Sequence, residues 1–426
     1  MSKIIILIEP AEGHFNPFAP IIKSLVARGH ELVCITGERF QTRVEALDCR
    51  FIPLVAAWDP KDQQWYDFFP ELRHKKGLGQ IKFYLKHILY AQIPDTLKQL
   101  QGVLDEFAAD VVLCDTFMLA GNWITELGGP PSVRLSILPL SLPDKNSAPF
   151  GLGLLPSDSS LSRLRNALLQ FIFTKLIFKD VQTHINQIRK QLSLPPFSES
   201  FFIQGYKIPS LVLHTSVPSF EYPRATLPDN FQFIGPVLMS ADPEYTLPEG
   251  WAKSNRELPV VLINQGTIAN NPAELILPAI EALQQLPVKV LIVSVTEAEL
   301  PPLADNMYAQ RYVPYANLLP HIDIMISNGG FGATQHALAE GIPVIIAGAT
   351  EDKMEVAARV EYSAAGINLR QQNPTAHEIK AAVQRVLNEP EFKQKALELQ
   401  ADYAKYDAPK LAVAAIEHLI NENKIA

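Results

Sequence analysis

The chain has 426 residues, with 37 Lys and Arg set against 45 Asp and Glu, for a formal charge of −8. That balance argues against nucleic acid as a main partner, because binding a phosphate backbone rests on Lys and Arg. Apolar residues at 47% and charged residues at 19% exclude a disordered chain, and the length is enough for two domains with their own cores.

At the N-terminus a short apolar run, Lys3 to Ile8, is too brief for a secretory signal and reads as a buried strand. Glu31 to Thr36 reads as its parallel neighbour. Between them lie a loop containing Gly13-His14-Phe15-Asn16-Pro17 and a helix ending at Gly29. Such a βαβ unit opens a doubly wound sheet, whose ligands bind at the carboxyl ends of the strands, where this loop falls. Asp110 to Cys114 is a further buried strand. Asp115 stands at its carboxyl end, ahead of an apolar helical run from Phe117. An acid there serves either as the cap of that helix or as a partner for a histidine across the strand ends. Asp110, at the other end of the strand, should be structural.

Two long irregular stretches, Trp58 to Gln101 and Pro143 to Phe202, are rich in apolar and aromatic residues. Leu164 to Phe178 within the second reads as a buried or domain-covering helix. A weak membrane-surface contact is the other reading, without a strong basic stripe to support it. Leu211 to Thr215 is another strand. The Pro- and Gly-rich run after it marks a crossing between domains, placed at about residue 236.

The second half repeats the pattern. Pro259 to Asn264 is a strand, followed by Gln265-Gly266-Thr267 and a helix from Pro272 to Gln285. Val288 to Val295 is the next strand, and Met307 to Pro314 leads on from it. Then Ile322 to Ser327 (strand), Asn328-Gly329-Gly330 (turn), Phe331 to Glu340 (helix) and Ile342 to Ala347 (strand) follow in close order. A strand, a glycine turn and a helix start direct free N–H groups and a positive dipole end at one point, which suits an anion. The turn is neither GxGxxG nor GxxxxGK[ST], so neither of those mechanisms applies. Helices at 376–387, 390–404 and 410–421 close the chain. Cys34, Cys49 and Cys114 form no CxxC pair and no metal-ligand spacing, so they read as buried thiols of a reducing compartment, the cytoplasm by default. No run of about 20 apolar residues is present, so no membrane span is expected.

These segments together resemble the GT-B fold, nucleotide-sugar-dependent glycosyltransferases of the UDP-glycosyltransferase and macrolide glycosyltransferase type. The resemblance rests on Gly13-His14-x-Asn16-Pro17 near one end. Towards the other it rests on an aromatic-x-Pro segment (Tyr312-Val313-Pro314), Leu318-Leu319, the glycine turn, Gly341-x-Pro343 and the acidic pair Glu351-Asp352. It implies an α/β chain of two Rossmann-like doubly wound parallel-sheet domains facing a cleft. Residues 1–236 would bind the acceptor and 237–405 the donor, while 406–426 would cross back as a helix onto the first domain.

The resemblance also assigns roles. His14 is the general base, oriented by Asp115, and imidazole chemistry suits removal of an alcohol proton near neutrality. Gly266 and Thr267 meet the diphosphate, together with the turn and helix start at Asn328, Gly329, Gly330, Phe331 and Gly332. Tyr312, with Val313, offers a face to the nucleotide base. His336 replaces the family's ribose-binding glutamate, and Asn328 its turn histidine. Glu351, Asp352 and Lys353 stand where the family contacts donor hydroxyls, with Lys353 in place of an amide. The implied reaction is inverting hexosyl transfer from a nucleotide diphosphate sugar, UDP- or TDP-linked, to a hydroxyl of an apolar or aromatic small molecule or lipid. It needs no cofactor, and the chain carries no Asp-x-Asp pair for a metal. A nucleotide-sugar epimerase of the same fold and a non-catalytic nucleotide-sugar or lipid binder stay open. A nicotinamide oxidoreductase ranks below both for want of the glycine fingerprint.

Overall fold

A computed structural model describes the chain except for residues 62, 64, 76, 248–250, 253–256, 267–270, 294–299, 351 and 426. Two all-parallel sheets organise it. The first has seven strands: β1 (Lys3–Leu7), β2 (Glu31–Thr36), β3 (Arg50–Pro53), β4 (Val111–Asp115), β5 (Ser132–Ser136), β6 (Leu211–His214) and β7 (Phe231–Phe233), in the order β3-β2-β1-β4-β5-β6-β7. The second has six: β8 (Val260–Asn264), β9 (Lys289–Val293), β10 (Met307–Gln310), β11 (Ile324–Ser327), β12 (Val344–Ile346) and β13 (Gly366–Asn368), in the order β10-β9-β8-β11-β12-β13. The crossing between sheets lies between Phe233 and Val260.

The central strands are unbroken apolar runs because helices cover both faces of a parallel sheet. Ile4, Ile6 and Leu113 face one layer, Ile5, Leu7 and Val112 the other, as the two-residue period of a strand requires. The first helix, Glu12–Ala27, buries Phe15, Phe18, Ile21, Ile22 and Leu25 on the first of these faces. The C-terminal helix, Ala408–Ile425, joins the same layer through Ala412, Val413, Ile416 and Ile420, so the end of the chain returns to the first domain. Salt bridges Arg28–Glu417 at 2.8 Å and Lys424–Asp110 at 2.9 Å fix it there.

One expectation changes and another is narrowed. The Gly13-to-Pro17 segment is not a loop: it forms the first turns of the helix Glu12–Ala27, with Pro17 and Pro20 inside it. Burial of five apolar side chains, at ~1.5–3 kcal/mol each, outweighs ~3 kcal/mol for each interior proline. Of the two readings of Leu164 to Phe178, the helix Ser160–Phe171 with its continuation Ile172–Ile177 is domain-covering rather than buried. It holds Asn166 and Phe173 inward and leaves Leu161, Leu164, Leu168, Phe171 and Leu176 in solvent. Among the described residues no helix is long and apolar enough to cross a membrane.

Candidate active site

In each sheet the strand order reverses once, between β1 and β4 in the first and between β8 and β11 in the second. Doubly wound sheets bind ligands outside the carboxyl ends of the strands at such a point. The sequence places His14 just after β1 and Asp115 at the end of β4. It places Gly266 just after β8 and Asn328 just after β11. All four therefore fall at the two switch points.

On the first wall, His14 sits in the first turn of its helix, its N–H donating to the Ala11 carbonyl at 3.0 Å. Its Nδ1 lies 2.9 Å from both Oδ1 and Oδ2 of Asp115. Asp115 is fully buried, whereas the His14 side chain keeps 14% exposure, so the imidazole has its other edge open to the cleft. A carboxylate accepts, so in the neutral ring the proton sits on Nδ1 and Nε2 presents a lone pair. Asp115 Oδ1 also accepts the Phe117 N–H at 2.8 Å, so the acid both caps the turn and holds the histidine. The helix after it starts at Ala120 rather than Phe117, because residues 116–119 form that turn. The Phe117 ring lies 5.0 Å from the imidazole and 5.8 Å from the Tyr84 ring, giving the cleft an aromatic side. Burial pulls the His14 pKa down. The charge and hydrogen bond of Asp115, with the charges of Glu9 and Asp352, outweigh it and raise the pKa above the ordinary imidazole value.

Sequence reasoning missed Glu9, two residues past β1. It is 2% exposed, and its Oε1 has no hydrogen-bond partner. Burial lifts its pKa to about 7, against the opposing influence of His14 and Gln92. The only signal in the sequence is an acid directly after a buried strand at the ligand end of the sheet.

On the second wall the chain crowds around the glycine turn. Gly266 (φ 83°) packs on the Asn328 side chain: an added Cβ would lie 3.3 Å from Asn328 Oδ1. Gly329 (φ 90°) packs on Ile346, and Gly348 on the Asn328 carbonyl. The Gly329 N–H donates to Ser327 Oγ at 3.1 Å. The helix Phe331–Ala339 begins after Gly330 with no side-chain cap. Its leading N–H groups thus supply the positive end expected of it. A recess beside the turn is lined by Gln265, Glu274, Leu275, Asn328, Ala347, Gly348, Thr350, Lys353 and Gln372. Lys353 is 5% exposed and donates from Nζ to Thr350 Oγ1 at 3.3 Å, so its cation belongs to this recess. Thr267 and Glu351 lie outside the described residues.

The other assigned residues divide. Tyr312 is 75% exposed with its ring free to be covered, and Gly332 is exposed at the helix start. Val313 and Phe331 turn their side chains into the core of the second domain, leaving only backbone for a ligand. The reason is packing: Phe331 faces Phe220 and His214 at the domain junction, with ring centroids at 6.5 and 6.4 Å. The His336 ring stands edge-on to Tyr315 at 5.6 Å, and burial lowers its pKa to about 4, so it is neutral at pH 7.

What joins the walls was not legible from the sequence. The helix Lys353–Tyr362 starts at the recess beside the glycine turn and is tied to the first domain. Glu355 Oε1 accepts N–H groups from Gly151 at 2.8 Å and Gly153 at 3.0 Å. Arg359, fully buried, donates to Glu221 Oε2 at 2.7 Å, to Glu355 Oε2 at 3.0 Å and to the Leu140 carbonyl at 3.0 Å. Gln335 donates to the Thr215 carbonyl and accepts from the Tyr403 hydroxyl. Across this junction the Asp352 charge contributes to raising the His14 pKa.

The model of the family described as "UDP-glucoronosyl and UDP-glucosyl transferase" matches residues 4–417. Among curated proteins, the chain is 35% identical to 4'-demethylrebeccamycin synthase of Lentzea aerocolonigenes, over 98% of this chain and 100% of that one. It is 32% identical to UDP-glycosyltransferase 2 of Phaeomoniella chlamydospora, over 98% and 95%. Among solved structures, spinosyn rhamnosyltransferase SpnG complexed with thymidine diphosphate superposes with a TM-score of 0.71 at 18% identity, covering 98% of this chain and 100% of that one. Two parallel sheets facing one cleft, with a match along nearly the whole chain, place this protein in the UDP-glucoronosyl and UDP-glucosyl transferase family as a glycosyltransferase.

Proposed function

We propose that the protein moves a hexose from a UDP- or TDP-linked donor to a hydroxyl of an apolar small molecule or lipid, with inversion at the anomeric carbon. The observation that carries this reading is the His14–Asp115 pair, with Nδ1 2.9 Å from both carboxylate oxygens and the opposite ring edge towards the cleft. The acceptor's O–H proton passes to Nε2 of His14. Its oxygen attacks the anomeric carbon from the face opposite the nucleotide, and the bond from that carbon to the diphosphate oxygen breaks, its electron pair leaving with the nucleoside diphosphate. Asp115 holds the ring in the tautomer that accepts at Nε2 and stabilises the imidazolium that forms. The leading N–H groups of the helix Phe331–Ala339 and the Lys353 cation face the charge growing on the diphosphate.

Asp352 offers acceptor oxygens to the donor's hydroxyls, and Tyr312 a face to its base. Phe117 and Tyr84 give the acceptor side its apolar surface. The thymidine diphosphate of SpnG and the family description together support a nucleoside diphosphate leaving group. The domain assignment follows: residues 1–236 with 406–426 hold the acceptor and 237–405 the donor.

The test is His14→Ala with a donor and acceptor pair found by screening. Transfer should fall ~10²–10⁴-fold, the usual contribution of a positioned general base, while nucleoside diphosphate affinity stays within about threefold. Normal turnover in the variant would overturn the proposal. In the wild type, kcat/KM should fall as pH drops through the raised His14 pKa, with an acid limb above the ordinary imidazole value. Asp115→Asn should move that limb to lower pH.

A further inference from the structure

The helix Ser160–Phe171 and its continuation to Ile177 carry an apolar stripe that the rest of the fold does not cover. Leu161, Leu164, Leu168 and Phe171 follow one another at spacings of three, four and three, and are 79, 69, 59 and 56% exposed. Leu176, at 64%, extends the stripe. The opposite face is anchored: Asn166 is fully buried and donates to the Lys145 carbonyl at 3.3 Å, and Phe173 packs on Phe178 with ring centroids 4.7 Å apart. The helix therefore has an inner side that the first domain needs and an outer side it does not. Contiguous exposed apolar surface on that scale marks an interaction site.

The charges around the stripe identify the occupant. From residue 158 to 179 the chain has one acid, Asp158 at its start, against Arg163, Arg165, Lys175 and Lys179, all exposed, in a protein whose formal charge is −8. Arg163 also donates to Asn146 at 2.9 Å and Arg165 to Asn166 at 3.0 Å. Asp180, at the end of the segment, is taken up by Lys82 at 2.6 Å and Lys86 at 3.5 Å. We infer that this face docks on an anionic lipid bilayer. The helix lies in the plane of the headgroups, with its leucines and Phe171 in the acyl boundary and its cations on lipid phosphates. A second copy of the chain is a poorer occupant, because a two-fold contact would set this basic face against itself. The docked face belongs to the domain that carries His14, which binds the acceptor under the proposed function.

The experiment is flotation of the full chain with vesicles of phosphatidylcholine alone and with about 30% phosphatidylglycerol. The protein should float with the anionic vesicles, weakly with the neutral ones, and be released as NaCl rises towards about 0.5 M, where charges are screened within a few ångströms. Leu164→Glu with Leu168→Glu should cut binding more than tenfold. Arg165→Gln and Lys175→Gln should each weaken it about fivefold, the value of one cation near an anionic surface. Unchanged thermal midpoints and nucleoside diphosphate affinities would show that the variants are folded. Absence of wild-type binding to anionic vesicles, or equal binding by the leucine variant, would overturn the inference. So would a dimer in light scattering that the leucine variant dissociates, since the face would then be a contact between copies.

Discussion

Replacing Arg359 with Met tests whether the two walls are held by a buried charge. In the wild type the guanidinium binds Glu221, Glu355 and the Leu140 carbonyl, and stacks 4.4 Å from the centroid of the Tyr222 ring. Glu221 Oε1 accepts from the Leu140 N–H at 3.1 Å and from His214 Nε2 at 3.2 Å. Burial alone would raise the Glu221 pKa, yet the Arg359 charge, with the bond from His214, holds it at about 2 against an ordinary 4.5. A depression of that size corresponds to ~3 kcal/mol of stability. The pKa is depressed in the folded state, so this contribution is complete above about pH 4.5 and is lost as pH falls towards 2.

Arg359→Met keeps much of the side-chain volume and leaves Glu221 as a buried carboxylate without its cation. Removing one partner of a buried pair costs ~3–5 kcal/mol. The variant should therefore lose about that much in urea unfolding at pH 7. Without the Arg359 charge, burial raises the Glu221 pKa, so the deficit should begin to shrink above pH 4.5, as Glu221 protonates in the variant, and should keep shrinking towards pH 2. Adding Glu221→Gln should restore part of the loss, because the stranded charge is then gone. The helix Lys353–Tyr362 begins at the recess beside the glycine turn, so under the proposed function loosening it should lower kcat for transfer more than it weakens nucleoside diphosphate binding. A variant within about 1 kcal/mol of wild type at pH 7, or one with the same deficit at pH 7 and pH 4, would refute this account of the junction.

Glu9→Gln should stabilise the protein in alkaline solution. The folded pKa of Glu9 lies near 7, above its ordinary value, so its carboxylate costs stability increasingly as pH rises from 4.5 and fully above 7. The gain should reach ~3 kcal/mol at pH 8 and vanish below pH 4.5; equal gains at both would show that Glu9 is not a desolvated acid. Gly329→Ala should cost ~1–3 kcal/mol of backbone strain and weaken nucleoside diphosphate binding, because its φ is 90° and the new Cβ would lie 2.7 Å from Ile346 Cγ2. Gly332→Ala is the contrast: nothing lies within 4 Å of its Cβ position, so isothermal titration and melting should find the fold intact.

The legible parts of this fold share a physical cause. Buried parallel strands are written as continuous apolar runs, and the ligand ends of such sheets follow from strand order, so residues beside β1, β4, β8 and β11 could be singled out one by one. Pairing His14 with Asp115 needed more than that, because a carboxylate at a strand end caps a turn equally well, and here it does both. One error came from giving a local signal the weight of a tertiary one. Pro17 and Asn16 read as loop, yet the helix forms because Phe15 and Phe18 are drawn into the core on either side of them. Leu164 to Phe178 read as a buried or domain-covering helix, and it covers the domain with one side only, because the apolar period of a helix does not say whether anything lies opposite.

The junction was illegible for a different reason. Glu221 and Arg359 lie 138 positions apart, and Gly151 and Glu355 lie 204 apart. Each would be unremarkable on a surface, and only the meeting of two separately folded sheets makes them partners. A cleft between domains therefore divides its information unevenly. Each wall can be read from its own strands, whereas the distance between the walls, on which transfer between two substrates depends, is fixed by charges that have no local pattern. That is why Arg359, which touches neither wall's ligand residues, is the position where stability and transfer should fail together.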